Sequence, residues 1–355
     1  MQTNPLARDL DAILSVTPGL WDELRGQRIF ITGGTGFFGH WLLESFAYAN
    51  EHLALGAKVV VLTRQPDAFR RKAPHLAEDP AISFHVGDMR DFAFPAGRFS
   101  LLIHAATETS TQLNAGDPLP VLNTIVAGTR HTLDFAVQAG VKKFLLTSSG
   151  AVYGPQPPDL THIPEDYRGV PNLLDPHAAY GEGKRAAELL GMLYARQSGL
   201  EVKIARGFTF AGPYLPLATH FAVGNFIRDG LANRPIVVKG NGTPLRSYLY
   251  AADLAIWLWT ILLRGKSAYP YNVGSDQPVS IASLAKLIAM LAGPDIAVQI
   301  AHSPIPGQPP ARYVPDTGRA RQELGLKETV TLEDALRRTI DFYRKLPPDG
   351  GTAQL

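Results

Sequence analysis

The chain has 355 residues, 45% of them apolar and 19% charged, with 34 basic against 32 acidic side chains and a formal net charge of +2. This is the composition of a globular protein of one or two domains, and its charge is too even for a nucleic-acid surface or an anionic membrane as partner. There is no cysteine, so disulfides, thiolate nucleophiles and cysteine-type zinc sites are excluded and a reducing cytoplasm is the expected location.

Residues 1–26 read as an N-terminal packing arm. Leu10, Ile13 and Leu14 share a helical face, and Leu20, Trp21 and Leu24 mark a second short turn. No basic-then-apolar leader is visible. Strands are predicted at 28–32, 58–62, 82–86, 101–105, 143–147 and 202–205, with helices at 39–50, 121–139 and 178–197. Short, nearly uninterrupted apolar strands between helices predict a parallel sheet covered on both faces. That is the α/β, doubly wound (Rossmann) architecture, here spanning 27–207. From Phe208 onward Pro and Gly become dense, and helices are predicted at 221–232, 253–264, 280–292, 317–324 and 332–345. This region, 208–346, reads as a smaller C-terminal α/β lobe over the carboxyl edge of the sheet, and 347–355 as a flexible tail. The longest apolar stretch, Leu254 to Leu263, is about half the ~20 residues of a membrane span. Trp257 and Trp259 within it read as core, and Asp253 before it as a helix N-cap.

Thr32-Gly33-Gly34-Thr35-Gly36-Phe37-Phe38-Gly39 follows the first strand and opens a helix. Glycine permits the positive φ of a tight turn. A missing Cβ lets a pyrophosphate reach the backbone, where it meets the free N–H groups of the helix start. With a strand before, a helix after and five further strands, the turn predicts dinucleotide binding. The second strand ends in Thr63-Arg64, where an NAD enzyme places an acid for the ribose hydroxyls. A neutral Thr and a cationic Arg favour NADP, with NAD the open alternative. Asp88 and Met89, after the third strand, are placed to meet the adenine.

Tyr180 and Lys184 are four residues apart on a predicted helix and project from one face. A tyrosine pKa near 10 is too high for acid/base work at neutral pH, and a nearby ammonium favours the phenolate. Ser148 and Ser149 end the fifth strand, at the edge where such sheets bind ligands. A hydroxyl there can donate to a substrate oxygen and share a proton with Tyr180.

These pieces resemble the extended short-chain dehydrogenase/reductases that act on nucleotide sugars, the epimerase/dehydratase group. The resemblance runs from about Gln27 to Tyr343. It is carried by the 32–39 turn, Gly87-Asp88, His104-Ala105-Ala106, the segment Thr147 to Gly154, Tyr180 with Lys184, Arg206 to Pro213, Gly240 to Tyr248, Asp253-Leu254-Ala255 and Tyr271 to Gly274. It implies that Ser149 supplies the hydroxyl, Tyr180 is the acid/base and Lys184 holds the nicotinamide ribose. It places Gly33, Thr35, Gly36, Phe37, Phe38, Gly39, Thr63, Arg64, Asp88, Met89, Ala105, Ala106 and Thr107 at the cofactor. Thr109, Ser148, Ser149, Thr209 and Asn225 then face the substrate, and Arg246 and Arg312 grip its diphosphate. It also implies a homodimer through helices near 121–139 and 178–197.

Three departures from the group narrow the chemistry. Its dehydratases carry Thr-Asp-Glu where this chain has Ser149-Gly150-Ala151, and its decarboxylases also keep a Glu at the Ala151 position. Gly and Ala transfer no proton, so elimination and decarboxylation are disfavoured unless Glu108 substitutes. Ile125 and Thr209 stand where the group often has Asn. The expected activity is hydride transfer at a carbinol carbon, C4 by resemblance, of a nucleoside-diphosphate hexose. A 4-keto-sugar reductase is the first reading, and a 4-epimerase that retains its cofactor is the alternative. A non-catalytic NADP sensor on the same fold is disfavoured because Ser149, Tyr180 and Lys184 are all present. The ten histidines show no metal spacing, and no nucleophile elbow is present.

Overall fold

The computed structural model describes residues 4–107, 117–218 and 221–346. Thr109, Glu108 and the expected tail at 347–355 lie outside the described residues. Helix α1 (Ala7–Val16) and a 3-10 turn (Trp21–Leu24) lead into β1 (Arg28–Thr32) and α2 (Phe37–His52). There follow β2 (Lys58–Thr63), the short helices α3 (Pro66–Lys72) and α4 (Pro74–Ala77), β3 (Ile82–Val86) and β4 (Leu101–His104). Next come α5 (Pro118–Gln138), β5 (Lys143–Ser149), α6 (Ala179–Ser198) and β6 (Glu201–Gly207).

Beyond these the chain forms β7 (Phe210–Ala211), α7 (Ala222–Leu231), β8 (Ile236–Val238), β9 (Leu245–Arg246), β10 (Leu249–Tyr250) and α8 (Ala251–Arg264). Then come β11 (Tyr269–Val273), β12 (Val279–Ser280), α9 (Ile281–Ala292), β13 (Val298–Ile300), β14 (Arg312–Tyr313), α10 (Gly318–Leu324) and α11 (Leu332–Lys345).

Seven strands make one parallel sheet in the order β11-β6-β5-β4-β1-β2-β3. The alternation of side chains along a strand sends Ile29 and Ile31 to one apolar layer and Phe30 to the other. Each layer is covered by helices, which is why these strands read as continuous apolar runs. Strand order reverses beside β1, between β4 and β2, so the carboxyl ends of β1 and β4 frame the crevice where such sheets bind ligands.

The division expected at 207/208 does not follow the sheet. β11, from the later part of the chain, pairs with β6 along Tyr269–Val273. α8 is buried continuously from Ala251 to Leu263, with Trp257 and Trp259 in the core as expected. The remaining strands form small sheets, among them the three-stranded β12-β9-β14. The arm is a packing element: Leu6, Leu10 and Ile13 are buried in the main core, and Asp9 accepts from the Tyr250 hydroxyl at 2.6 Å and from Arg338.

Asp253 is not a cap. It lies inside α8, whose N-cap residue is Tyr250, and its carboxylate accepts from Thr329 N, Thr329 Oγ1 and Val330 N. Burial raises its pKa and those three donors oppose the rise. Among the described residues no helix is long and apolar enough to cross a membrane, and no cluster of His, Asp and Glu has the makings of a metal site.

Candidate active site

The glycine-rich turn is shaped by contacts a side chain would break. Gly33 has φ +74°, and a Cβ there would lie 2.4 Å from Ala106 N. A Cβ on Gly39 would lie 2.3 Å from Gly33 O. Gly36 differs: it is exposed, has an ordinary φ of −88°, and its nearest neighbour would be 3.5 Å away. Packing therefore requires Gly33 and Gly39, whereas the open face at Gly36 suits the approach of a ligand. Gly36 is the N-cap residue of α2, no side chain caps that helix, and its first internal donor is His40 N. The N–H groups ahead of His40 make no bond within the helix, and uncapped helix starts of this kind can receive an anion.

Ala105 N donates to Thr32 O at 3.0 Å and Ala106 N to Thr32 Oγ1 at 3.2 Å, which ties the end of β4 to the turn. Thr107 Oγ1 is buried with no partner among the described residues. The cradle and this orphaned hydroxyl fit a dinucleotide. Thr63 ends β2, buried, and Arg64 beside it is exposed, with its guanidinium 4.0 Å from the Asp88 carboxylate. Asp88 is held more firmly by Arg90, at 2.8 Å, and that bond lowers its pKa. Met89 is buried against Gly128 of α5, where a Cβ would meet its side chain at 2.8 Å.

Tyr180 and Lys184 rise from the first two turns of α6, as their spacing required. Lys184 is buried, donates to Thr147 O at 2.8 Å and sits 5.9 Å from the Tyr180 ring centre. Desolvation pulls its pKa down to about 8, against the pull of Glu188. Burial raises the Tyr180 phenol, and Ser149, rather than Lys184, is the neighbour that pulls it back down. Below the lysine, His104 bridges Thr32 Oγ1 at 2.8 Å and Thr129 Oγ1 at 3.1 Å. Burial and the Lys184 charge bring its pKa down to about 3, so it is neutral at physiological pH.

Two groups that the sequence reading did not single out complete the site. Glu188, one turn beyond Lys184, accepts from Ser148 Oγ at 2.5 Å and forms a two-pronged pair with Arg206 at 2.9 and 2.6 Å. Arg206 in turn reaches Tyr153 Oη at 2.8 Å, which donates to Asn272 Oδ1 at 2.8 Å. Ser148 thus belongs to a buried network, while Ser149, on the other face of β5, lies outside it. The i, i+4 spacing from Lys184 was the signal for Glu188.

The second group is Tyr313, on β14. Ser149 lies beside both phenols, Tyr180 and Tyr313, and favours the phenolate of each. The Tyr313 ring packs on Phe208 with centres 4.7 Å apart. A Cβ added at Gly150 would lie 2.6 Å from the Tyr313 hydroxyl and 2.8 and 2.9 Å from the Phe208 ring.

The register of the small sheet pairs Tyr313 with Arg246 and Arg312 with Leu245. Because paired residues share a face, Arg246 shares one with Tyr313, 5.8 Å from that ring's centre, and Arg312 projects from the other. Thr209 donates to Ser247 O, and Asn225 lies half-buried in the first turns of α7. Ile125, which stands where an Asn was expected, packs its side chain against Gly183 of α6.

The family description "NAD dependent epimerase/dehydratase family" matches residues 29–274. UDP-glucuronic acid decarboxylase 1 of Xenopus tropicalis is 31% identical over 319 residues, 90% of this chain and 72% of that protein. DesIV, a dTDP-glucose 4,6-dehydratase from Streptomyces venezuelae solved with NAD bound, superimposes with a TM-score of 0.74 at 27% identity, covering 89% of this chain and 97% of that one. The UDP-glucose 4-epimerase of Thermotoga maritima shares the fold, with a TM-score of 0.75 at 23% identity over 90% of this chain and 99% of that one.

Proposed function

The chain belongs to the NAD-dependent epimerase/dehydratase family, and from that premise we propose that it reduces the 4-keto group of a nucleoside-diphosphate hexose with NADPH. A bound nicotinamide dinucleotide supplies the hydride. The residues that would hold it are the 33–39 turn, Ala105 to Thr107, Thr63 and Arg64, with Tyr180 and Lys184 at the nicotinamide end. Tyr180 gives its phenolic proton to the carbonyl oxygen as carbon accepts the hydride. Ser149 donates to the same oxygen before transfer and to the phenolate after it. Lys184, fixed on Thr147 O, contributes positive charge at longer range and orients the ribose. Arg246 faces the cleft with Tyr313 and suits the diphosphate, since a guanidinium fork offers paired donors.

The observation that carries this reading is the space at Gly150. Eliminating water needs a base for one proton and an acid for the leaving hydroxyl. The Phe208 ring and the Tyr313 hydroxyl occupy the volume into which a side chain at 150 would grow, and Ala151 beside it transfers no proton. What remains at the end of β5 is a set of hydroxyls, sufficient for one hydride and one proton. This argues against carrying over dehydration or decarboxylation from the relatives named above.

A homodimer fits the same reading. Leu189, Met192 and Leu193 of α6 and Leu119 and Val137 of α5 are exposed apolar side chains on two helices packed side by side, the kind of face that a second copy covers.

The test begins by denaturing purified protein and identifying any released dinucleotide. An empty site that binds NADPH well above NADH, with NADPH oxidation on addition of dTDP- or UDP-linked 4-keto hexoses, is the expected result. Stoichiometric retained NAD overturns the reductase reading in favour of the 4-epimerase.

A further inference from the structure

We infer that Glu188 is a positioning residue for the transfer proposed above: it ties α6 to the end of β5 through Ser148 and so sets Ser149 against Tyr180. The inference rests on Tyr180 and Ser149 as the proton-handling pair of that reaction. Glu188 acts through the protein frame, not on the substrate.

The layer between the sheet and its covering helices is apolar along most of β5 and β6, where Phe144, Leu146, Val202 and Ile204 fill it. Side chains two residues apart share a face of a strand, so Ser148 and Arg206 continue those rows at the carboxyl end. Strand register extends the line to a third residue, since Ser148 pairs with Arg206 and Arg206 with Asn272. A polar row thus crosses β5, β6 and β11. Glu188, itself buried, is the α6 residue that meets it.

The bonds in the row are directed. Glu188 Oε1 accepts from Ser148 Oγ at 2.5 Å and from Arg206 Nε at 2.9 Å, and Oε2 accepts from Arg206 Nη2 at 2.6 Å. Arg206 Nη1 donates to Tyr153 Oη at 2.8 Å and to Glu165 O at 3.1 Å. Asn272 accepts from Tyr153 Oη at 2.8 Å and donates to Ile163 O at 2.8 Å and Asp316 O at 3.0 Å. The Glu188 carboxylate is therefore held in one orientation by a guanidinium that is itself held.

Ser149 is bracketed by this network without belonging to it. On its N-terminal side, α6 grips consecutive residues of β5 with side chains one turn apart, Lys184 on Thr147 O and Glu188 on Ser148 Oγ. On its C-terminal side, the 3-10 turn Gly150–Tyr153 ends on Tyr153, which Arg206 holds. Tyr180, Lys184 and Glu188 recur at four-residue intervals on one face of α6. The ties that hold the neighbours of Ser149 are thus made by the helix that carries Tyr180. A buried ion pair is a weak source of net stability, because desolvation offsets the attraction. What this one supplies is geometry, to which transfer is sensitive at displacements of about 1 Å.

The decisive variant is Ser148→Ala, which removes the tie and leaves the pair of Glu188 with Arg206 intact. Ser148→Thr keeps the hydroxyl. Glu188→Asp keeps a charge opposite Arg206 and withdraws the carboxylate from Ser148 by one methylene. The rate of NADPH-dependent reduction of a 4-keto sugar nucleotide is measured per NADPH-binding site, so that a loss of folded protein does not count. Ser148→Ala and Glu188→Asp each lower kcat about ten- to a hundredfold, with KM and NADPH affinity within about twofold of the wild type. The double variant is no slower than the slower single one, because both cut the same tie. Ser148→Thr recovers most of the rate. Hydrogen exchange of the dinucleotide-free proteins needs no reaction: the amides of 147–153 exchange faster in Ser148→Ala, and those of β1 and β2 do not.

An active wild type whose kcat per site is unmoved in Ser148→Ala overturns the inference and leaves the proposed reaction standing. A double variant that loses the product of the two single effects overturns it as well. A wild type that reduces no 4-keto sugar overturns the reaction. Exchange at 147–153 then decides the tie by itself: faster exchange in Ser148→Ala upholds it, and unmoved exchange overturns it.

Discussion

Replacing Lys184 with Met makes the cofactor-free protein more stable while removing its activity. Lys184 is 3% exposed, and burial holds its pKa at about 8 instead of the ordinary 10.5. Each unit is worth ~1.4 kcal/mol, so the folded protein disfavours this ammonium by roughly 3 kcal/mol relative to water. A methionine of similar length has no such penalty. Some of the gain is lost in repacking, leaving about 1–3 kcal/mol at pH 7. For 355 residues the unfolding entropy is about 0.7 kcal/mol per degree, so Tm rises by about 1–4 °C.

The sign with pH follows from linkage. The folded pKa lies below the unfolded one, so the unfolded wild type binds the extra proton between pH ~8 and ~10.5, and wild-type stability rises with pH across that window. The advantage of Lys184→Met is therefore full below pH ~8 and closes as pH approaches ~10.5. Calorimetry of both proteins, stripped of dinucleotide, at several pH values measures it. The difference between the two cancels the buried tyrosines, which titrate above pH 10 in both. In the assay the same variant loses about a hundredfold or more in kcat. A variant that melts at or below the wild type, or a gap that does not close between pH 8 and 10.5, refutes the claim that this ammonium is held against its solvation.

Two further predictions separate packing from recognition. Gly39→Ala and Gly33→Ala meet backbone at 2.3 and 2.4 Å and lower Tm sharply, by several degrees. Gly36→Ala has 3.5 Å of room, melts within about 1 °C of the wild type and weakens NADPH binding about tenfold or more, read by fluorescence titration. Arg64→Ala weakens NADPH about tenfold and leaves NADH within twofold, because a 2′-phosphate loses a charge-assisted partner that a ribose hydroxyl does not need. Equal losses for the two cofactors exclude that role for Arg64.

What could be read without the structure is what depends on neighbours in sequence. The glycine turn is bounded by its own strand and helix, and Tyr180 and Lys184 share a helix face because four residues make roughly one turn. Five of the six strands of 27–207 announced themselves because both of their faces are largely buried, while β3, at the sheet edge, is half exposed; the ends of all six agree with the expected ones to within two residues. Glu188 belonged to the same class of signal and was passed over, since an acidic residue on a helix is most often solvated.

Tertiary structure alone decided the rest, because the deciding contacts join distant segments. No local pattern says that β11 enters the main sheet, or that Asp253 serves a loop 76 residues later. Composition is silent on Gly150, whose lack of a side chain has meaning only when Phe208 and Tyr313 arrive to fill the space. Arg246 and Arg312 looked equivalent as basic residues near the diphosphate. The register of two short strands puts one beside Tyr313 and turns the other away, since a shift of one residue in a strand exchanges its faces. The sequence by itself determined the glycine turn and the shared helix face of Tyr180 and Lys184, which are built from short-range geometry. The shape and donor set of the cleft above Ser149 came only with the fold, because its walls come from four separated parts of the chain.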